Sequence, residues 1–337
     1  MLIMNKYYML ALSLSSLLLF GCNGINSTGI VIRTDTLYES KQNIPSKTTE
    51  VCTNTVNLQE RTSIIKQGQY TLLFPKKLLN SSSMRYCSDQ IDNNGTAFEI
   101  DYVDPGGKGM DGYVNGVIGG VQNNGSWQTG DSSLTGMPIL LRDLDDSMII
   151  QWKTSQDNAL DDNDKWMASI NVIFDAGDAD AKPDASERDY DLVIELNSLN
   201  FNNSTEDVIE GNKRNYLARN TDGTLRTFNI IVDGKTYRYG VRYKFSYNRG
   251  DKDNKVHVKY IPIDKENVPP YLNHSLKAFI DNSKEFIQYA NLSDHERALA
   301  NEKVAIPILY LKSIRAGYEV YKGESILRND YFRVVFE

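Results

Sequence analysis

Residues 310–321 read YLKSIRAGYEVY. In an extended chain successive side chains point to opposite faces, so Leu311, Ser313, Arg315, Gly317, Glu319 and Tyr321 share one face of a predicted strand. Most strand glutamates simply face water. Glu319 gains significance from a second predicted strand, residues 190–196, reading YDLVIEL, which aligns Asp191, Val193 and Glu195 on one face. Two carboxylates on facing positions of one concave sheet are what hydrolysis of a glycosidic bond requires.

The chain around these strands is organised as all-β. Short alternating runs at residues 70–74, 96–103, 112–121, 148–154, 168–175 and 191–196 are separated by turn signals such as Gly106-Gly107, Asn123-Asn124-Gly125 and Asp222-Gly223. Asp233-Gly234 stands between NIIV and KTYRYGV, the signature of a two-residue hairpin with a type I′ turn. Runs at 242–247 and 255–263 continue the series. One segment departs from it. Leu276, Phe279, Ile280, Phe286 and Ile287 follow helical spacing after the capping residues Asn273 and Ser275, which predicts a single amphipathic helix laid on a β-sandwich. No internal repeat and no second domain boundary is found.

The N-terminal end reads differently. Lys6 precedes an apolar run from Tyr7 to Phe20, the pattern of an export signal and too short for a permanent membrane helix. Leu19-Phe20-Gly21-Cys22 is similar to a bacterial lipobox. The expectation is a signal peptide over 1–21, lipidation at Cys22, and anchoring in the cell envelope, with Asn23 favouring the outer membrane. Residues 22–50, rich in Ser, Thr, Asn and Lys, read as a flexible tether with an end-to-end distance of roughly 30 Å. The folded domain is then 51–337. With Cys22 acylated, Cys52 and Cys87 remain, and an exported chain permits them one disulfide.

Composition removes several classes of function. A net charge of −7 over 337 residues argues against a nucleic-acid partner. The three histidines, His257, His274 and His295, lack metal-site spacing, and no phosphate loop or nucleophile elbow occurs, so neither metal nor cofactor is expected. The acidic run 175–184 lacks the order of an EF-hand and reads as a solvated connection. No apolar association surface is evident, and a monomer is expected.

Taken in order, these pieces resemble glycoside hydrolase family 12, the β-1,4-glucanases and xyloglucanases, from about Tyr70 to Glu337. GYVNGVIGG (112–120) is similar to the family's Tyr-Pro strand, and LTGMPILLRDLDDSMIIQW (134–152) to its Leu-Pro, Asp-Leu and Trp segment. YDLVIEL falls where the family has its nucleophile strand. FNIIVDGKTYRYG (228–240), HSLKAFIDNSKEFIQY (274–289), YLKSIRAGYEVYKGE (310–324) and NDYFRVVF (329–336) resemble the closing hairpin, helix and acid-bearing strand.

The resemblance implies a concanavalin A-like β-jelly-roll of two antiparallel sheets and an endo-acting hydrolase of β-1,4-linked glucan or a related polysaccharide. Glu319 takes the place of the general acid/base and Asp191 that of the nucleophile, with Asn171 in the place of the family's supporting Asp. Asp is one bond shorter than Glu and draws its carboxyl back by about 1.5 Å. That moves the pair from the retaining spacing of about 5–5.5 Å toward the inverting range of roughly 6.5–9.5 Å. Glu195, two residues along the same face, is an alternative second carboxylate. Phe98, Tyr102, Trp127, Tyr318 and Tyr321 are the candidate sugar-stacking aromatics. A glycan-binding envelope lipoprotein that has lost catalysis on the same fold is the alternative, and a structural lipoprotein that binds no sugar is a third.

Overall fold

The extended chain that begins at Tyr310 runs on to Phe336, a strand of 27 residues, with bulges that shift the register near Lys312, Tyr321 and Asp330. A computed structural model describes residues 37–39, 52, 54–56, 62–75, 83–87, 95–104, 112–123, 126–128, 137–157, 164–175, 190–201, 206–210, 213–246, 255–305 and 309–336. Within it the long strand belongs to two sheets in succession. Residues 310–322 lie between Gly112–Gly119 and Lys165–Asp175. Residues 323–336 lie between Thr96–Asp104 and Met148–Asp157.

The first of these sheets, the front sheet, runs from Thr62–Gln67 through Tyr70–Pro75, Gly112–Gly119, the long strand, Lys165–Asp175, Tyr190–Leu199 and Lys255–Pro262 to Lys235–Ser246. Thr227–Val232 and Lys213–Leu217 share its far edge. Every pairing in that series is antiparallel except Tyr190–Leu199 with Lys255–Pro262. The back sheet is antiparallel throughout: Asn54–Thr55, Ser83–Tyr86, Thr96–Asp104, the long strand, Met148–Asp157 and Tyr271–Ser275. Two such sheets with their apolar faces together make the jelly-roll sandwich expected from the sequence.

Alternation decides what fills the gap. Ile170, Val172 and Phe174, Leu192 and Ile194, and Ile314, Ala316 and Tyr318 point inward from the front sheet and are fully buried. Phe98, Ile100, Tyr102, Trp152 and Phe332 answer from the back sheet. Phe74 meets Phe98 edge to face at 5.9 Å, and Trp166 meets Tyr318 at 5.7 Å. Each such pair contributes about 0.5–1.5 kcal/mol beyond its buried area.

The long strand changes sheets at Gly323, where φ is +111°. Asp164, itself buried, holds this corner: its Oδ1 accepts the Glu324 N–H at 2.7 Å and its Oδ2 accepts the Ser325 hydroxyl. A Cβ at position 323 would strike the Asp164 side chain and backbone. Here glycine serves both the positive φ and the close approach.

Leu276–Phe286 is the expected helix, with Leu276, Phe279, Ile280 and Phe286 buried. Tyr190, Tyr243 and Tyr260 reach up to it from the inner face of the front sheet. The Tyr190 hydroxyl pairs with Ser283 Oγ at 2.9 Å, and the Tyr260 hydroxyl donates to the Phe279 carbonyl at 2.6 Å. A second helix, Asp294–Ala305, was not anticipated. It carries few large apolar residues, so its stripe is faint, yet its start is a capping box: Glu296 Oε2 accepts the Ser293 N–H at 3.0 Å and Ser293 Oγ accepts the Glu296 N–H at 3.3 Å.

A disulfide joins Cys52 and Cys87, which are 35 residues apart. Leu37–Glu39, within the stretch read as a tether, pairs parallel with Asn229–Ile231. Cys22, the signal segment and the acidic run beyond Asp175 lie outside the described residues.

Replacing Gly323 with alanine is expected to cost about 3 kcal/mol of unfolding free energy, the size of effect seen when a side chain is forced into a strained, filled position. Urea titration with the disulfide intact measures it, and a loss under about 1 kcal/mol would contradict this account of the corner.

Candidate active site

On the outer face of the front sheet, pairing sets three rows across the long strand. Glu319 stands between Tyr113 and Met167, Gly317 between Asn115 and Ser169, and Arg315 between Val117 and Asn171. At Gly317 the neighbouring backbone is so close that a Cβ would overlap the Val114 carbonyl and Asn115. With no side chain at Gly317, the half-buried Glu319 can lean toward Ser169, whose hydroxyl lies 3.5 Å from Oε1. The Tyr321 hydroxyl donates to Glu319 Oε2 at 3.0 Å. Tyr113 lies beneath, its hydroxyl 3.0 Å from the Ser169 carbonyl and 3.1 Å from that of Arg315.

Burial raises the Glu319 carboxyl above its ordinary value of 4.5. The Tyr321 hydrogen bond, the charge of Lys259 and hydrogen bonds to Asn171 and Ser169 pull the other way and only partly offset it. A carboxyl whose proton is retained by desolvation can act as a general acid.

The register separates the two candidates for the second carboxylate. Asp191 stands opposite Ile173, which stands opposite Ser313, six residues before Glu319. Glu195 stands opposite Ser169, which stands opposite Gly317, two residues before Glu319. At about 3.3 Å per residue, Glu195 is closer to the level of Glu319 by roughly 13 Å along the strands. Contacts agree with the register. Lys259 Nζ lies 2.8 Å from Glu195 Oε2, and the same ammonium acts on Glu319, so one cation serves both. Ser198 donates to the other Glu195 oxygen at 2.6 Å. Asp191 is engaged elsewhere, with His257 Nδ1 3.2 Å from its Oδ2.

Three of the predicted sugar-stacking aromatics belong to the core instead. Phe98, Tyr102 and Tyr318 are wholly buried between the sheets. Tyr318 donates to the Arg328 carbonyl at 2.9 Å, and Tyr102 to that of Lys322 at 3.3 Å. Strict alternation already excludes Tyr318, since its neighbour Glu319 faces outward. Tyr321 does lie on the outer face, edge to face with Phe201 at 4.8 Å. Trp127 falls in the short strand Ser126–Gln128, and its side chain lies outside the described residues. Ser169, Tyr113, Lys259 and Phe201 were missed by the sequence reading. Ser169 and Tyr113 could have been found by counting in twos from Asn171 and from Asn115. Lys259 and Phe201 carry no signal of their own. Among the described residues no group of three or more His, Cys, Asp or Glu side chains is placed to hold a metal ion.

Solved structures of similar architecture identify the fold. Trichoderma harzianum endoglucanase 3 from family GH12 is 11% identical, with a TM-score of 0.51 over 86% of this chain and 100% of that one. A native family 12 xyloglucanase from Bacillus licheniformis is 12% identical, with a TM-score of 0.51 over 82% and 97% of the two chains. A metagenome-derived glycoside hydrolase family 12 endoglucanase is 15% identical, with a TM-score of 0.53 over 84% and 98%. The chain thus has the β-jelly-roll fold of family 12 glycoside hydrolases, in a divergent form. No protein-family model matches the sequence, and no curated protein matches it.

Because the folded Glu319 holds its proton above pH 4.5, the unfolded chain releases that proton first as pH rises. Stability associated with this group therefore falls through that window and is unaffected below it. The gain in stability from Glu319→Gln over wild type should grow between pH 4 and pH 7 in parallel melting experiments. A gain that shrinks with pH would reverse the sign assigned to the site.

Proposed function

We propose that the chain is an endo-acting glycoside hydrolase of β-1,4-linked glucan or a related polysaccharide, with Glu319 as general acid/base and Glu195 as the second carboxylate. The observation that carries the reading is the desolvated Glu319 carboxyl set two residues from the level of Glu195, with Lys259 acting on both. Glu319 would protonate the leaving glycosidic oxygen, and Glu195 would meet the anomeric carbon directly or through a water. Tyr321 and Ser169 orient the Glu319 carboxyl, and Asn171 gives it a further neutral hydrogen bond. Export and attachment to the envelope through a lipid on Cys22 belong to the same proposal, and place the site against extracellular polymer.

A second reading has its own support. Glu195 is 1% exposed, with one oxygen on Lys259 and the other on Ser198. A carboxylate so enclosed is poorly placed to attack, which favours a glycan-binding lipoprotein with impaired catalysis.

Reducing-end release from barley β-glucan, xyloglucan and carboxymethylcellulose separates these readings when wild type is compared with Glu319→Gln, Glu195→Gln and Asp191→Asn. Loss of about 10²–10⁴-fold is expected for the first two, the range for removing a general acid or base, and less than about tenfold for Asp191→Asn, since its change leaves the reacting pair in place. A severe loss at Asp191 with a mild one at Glu195 would return the second role to Asp191. Oligosaccharide binding without turnover would establish the binding reading.

A further inference from the structure

We propose that this site takes an anionic polysaccharide, with a sugar carboxylate or sulfate seated on Lys165; the inference rests on the glycan-cleft reading above and specifies its substrate class. The starting point is a contrast of charge. The chain as a whole carries −7. The outer face of the front sheet runs the other way. Alternation and register place Lys165, Lys259, Arg242, Lys244 and Arg315 there, with His257 beside them. The carboxylates on the same rows are Glu319, Glu195 and Asp191.

Two of those carboxylates already have basic partners, Glu195 with Lys259 and Asp191 with His257. Lys165 differs. Its ammonium lies 5.0 Å from the centre of the Phe201 ring and 5.3 Å from that of Tyr321, and no carboxylate among the described residues is within ion-pair distance. Lys259 approaches the same Phe201 ring at 5.9 Å. The Tyr321 ring that carries Lys165 on its face ends in the hydroxyl bonded to Glu319. A half-buried cation is thus held one aromatic ring away from the acid that would protonate the leaving oxygen.

This arrangement suits a charged sugar better than a neutral one. The rings offer Phe201 and Tyr321 as an apolar platform against a pyranose face, while the cation–π contact holds the ammonium at its rim without neutralising it. A face on which cations outnumber carboxylates concentrates polymer of the opposite sign.

The test uses the full chain and three polymers with a shared β-1,4-glucan backbone: carboxymethylcellulose, cellulose sulfate and the neutral hydroxyethylcellulose. Binding is measured by affinity electrophoresis on the Glu319→Gln variant, and cleavage on wild type. The anionic polymers are expected to bind about fivefold or more tightly than the neutral one at low salt, the strength of a partly exposed ion pair. That preference should vanish near 1 M salt, where charges are screened beyond about 3 Å. Lys165→Gln should bring the anionic-to-neutral ratio close to one. Lys235→Gln should leave it unchanged, although Lys235 makes a like contact, 5.3 Å from the Tyr237 ring on the hairpin. The two anionic arms tell carboxylate from sulfate. A binding ratio near one with Lys165 in place, or one that adding Lys165→Gln fails to alter, overturns this inference and leaves the hydrolase reading standing. No binding and no cleavage of any of the three overturns the glycan reading itself.

Discussion

The structure depends on one backbone passing from one sheet to the other without interruption. A strand of 27 residues that serves both layers must turn a corner, and an extended chain has no cheap way to do so. The solution is local and polar: a glycine with positive φ and a buried aspartate that takes both the following amide and the hydroxyl after it. The buried carboxylate is tolerable because its oxygens are met by donors. Four residues before that corner sits Glu319. The same device that joins the layers also fixes the backbone from which the Glu319 carboxyl projects, so the scaffold and the candidate site share one constraint.

Around Glu319 the chain combines burial with charge in an unusual proportion. In the Glu195–Lys259 pair the carboxylate is buried and the lysine only partly exposed, and such a pair seldom adds net stability over apolar residues of like volume. Its location on the outward face, beside an acid whose proton is held by desolvation, makes chemistry or recognition the better account of its presence. His257 with Asp191 repeats the pattern on the same two strands, two residues before Lys259 and four before Glu195. The polar groups on this face are thus arranged as an ordered lattice of partners rather than as a solvated surface.

Much of this was legible in the sequence, for reasons that can be given residue by residue. The period of two in YLKSIRAGYEVY and YDLVIEL set both the strand class and the outward faces. The Asp-Gly turn marked its hairpin, which pairs Val232 with Lys235 as expected. What the residues did not reveal was register. Aligned by motif, Asp191 takes the nucleophile's place. Paired across Lys165–Asp175, Glu195 lies nearer the Glu319 carboxyl, because a motif alignment along one chain does not tell which residues stand opposite one another across the sheet. The aromatics failed for another reason: Phe98 and Tyr102 have the same chemistry whether they face sugar or core, and only the sheet order decides. The helix at Asp294–Ala305 had its capping box in plain view, but too little apolar surface to announce itself.

The tyrosines that rise from the front sheet to the Leu276–Phe286 helix have an architectural consequence. Among the described residues the back sheet ends at Tyr271–Ser275, whereas the front sheet goes on through Lys255–Pro262 and Lys235–Ser246. Under those outer strands the second layer is helix, pinned by side-chain hydroxyls to its backbone and by Phe279 against Phe228 and Tyr260. The breadth of the outward platform is therefore uncoupled from the breadth of the layer behind it. A lineage with this design can widen or trim that outward platform by altering helix and edge strands alone, leaving the shared strand and its corner untouched.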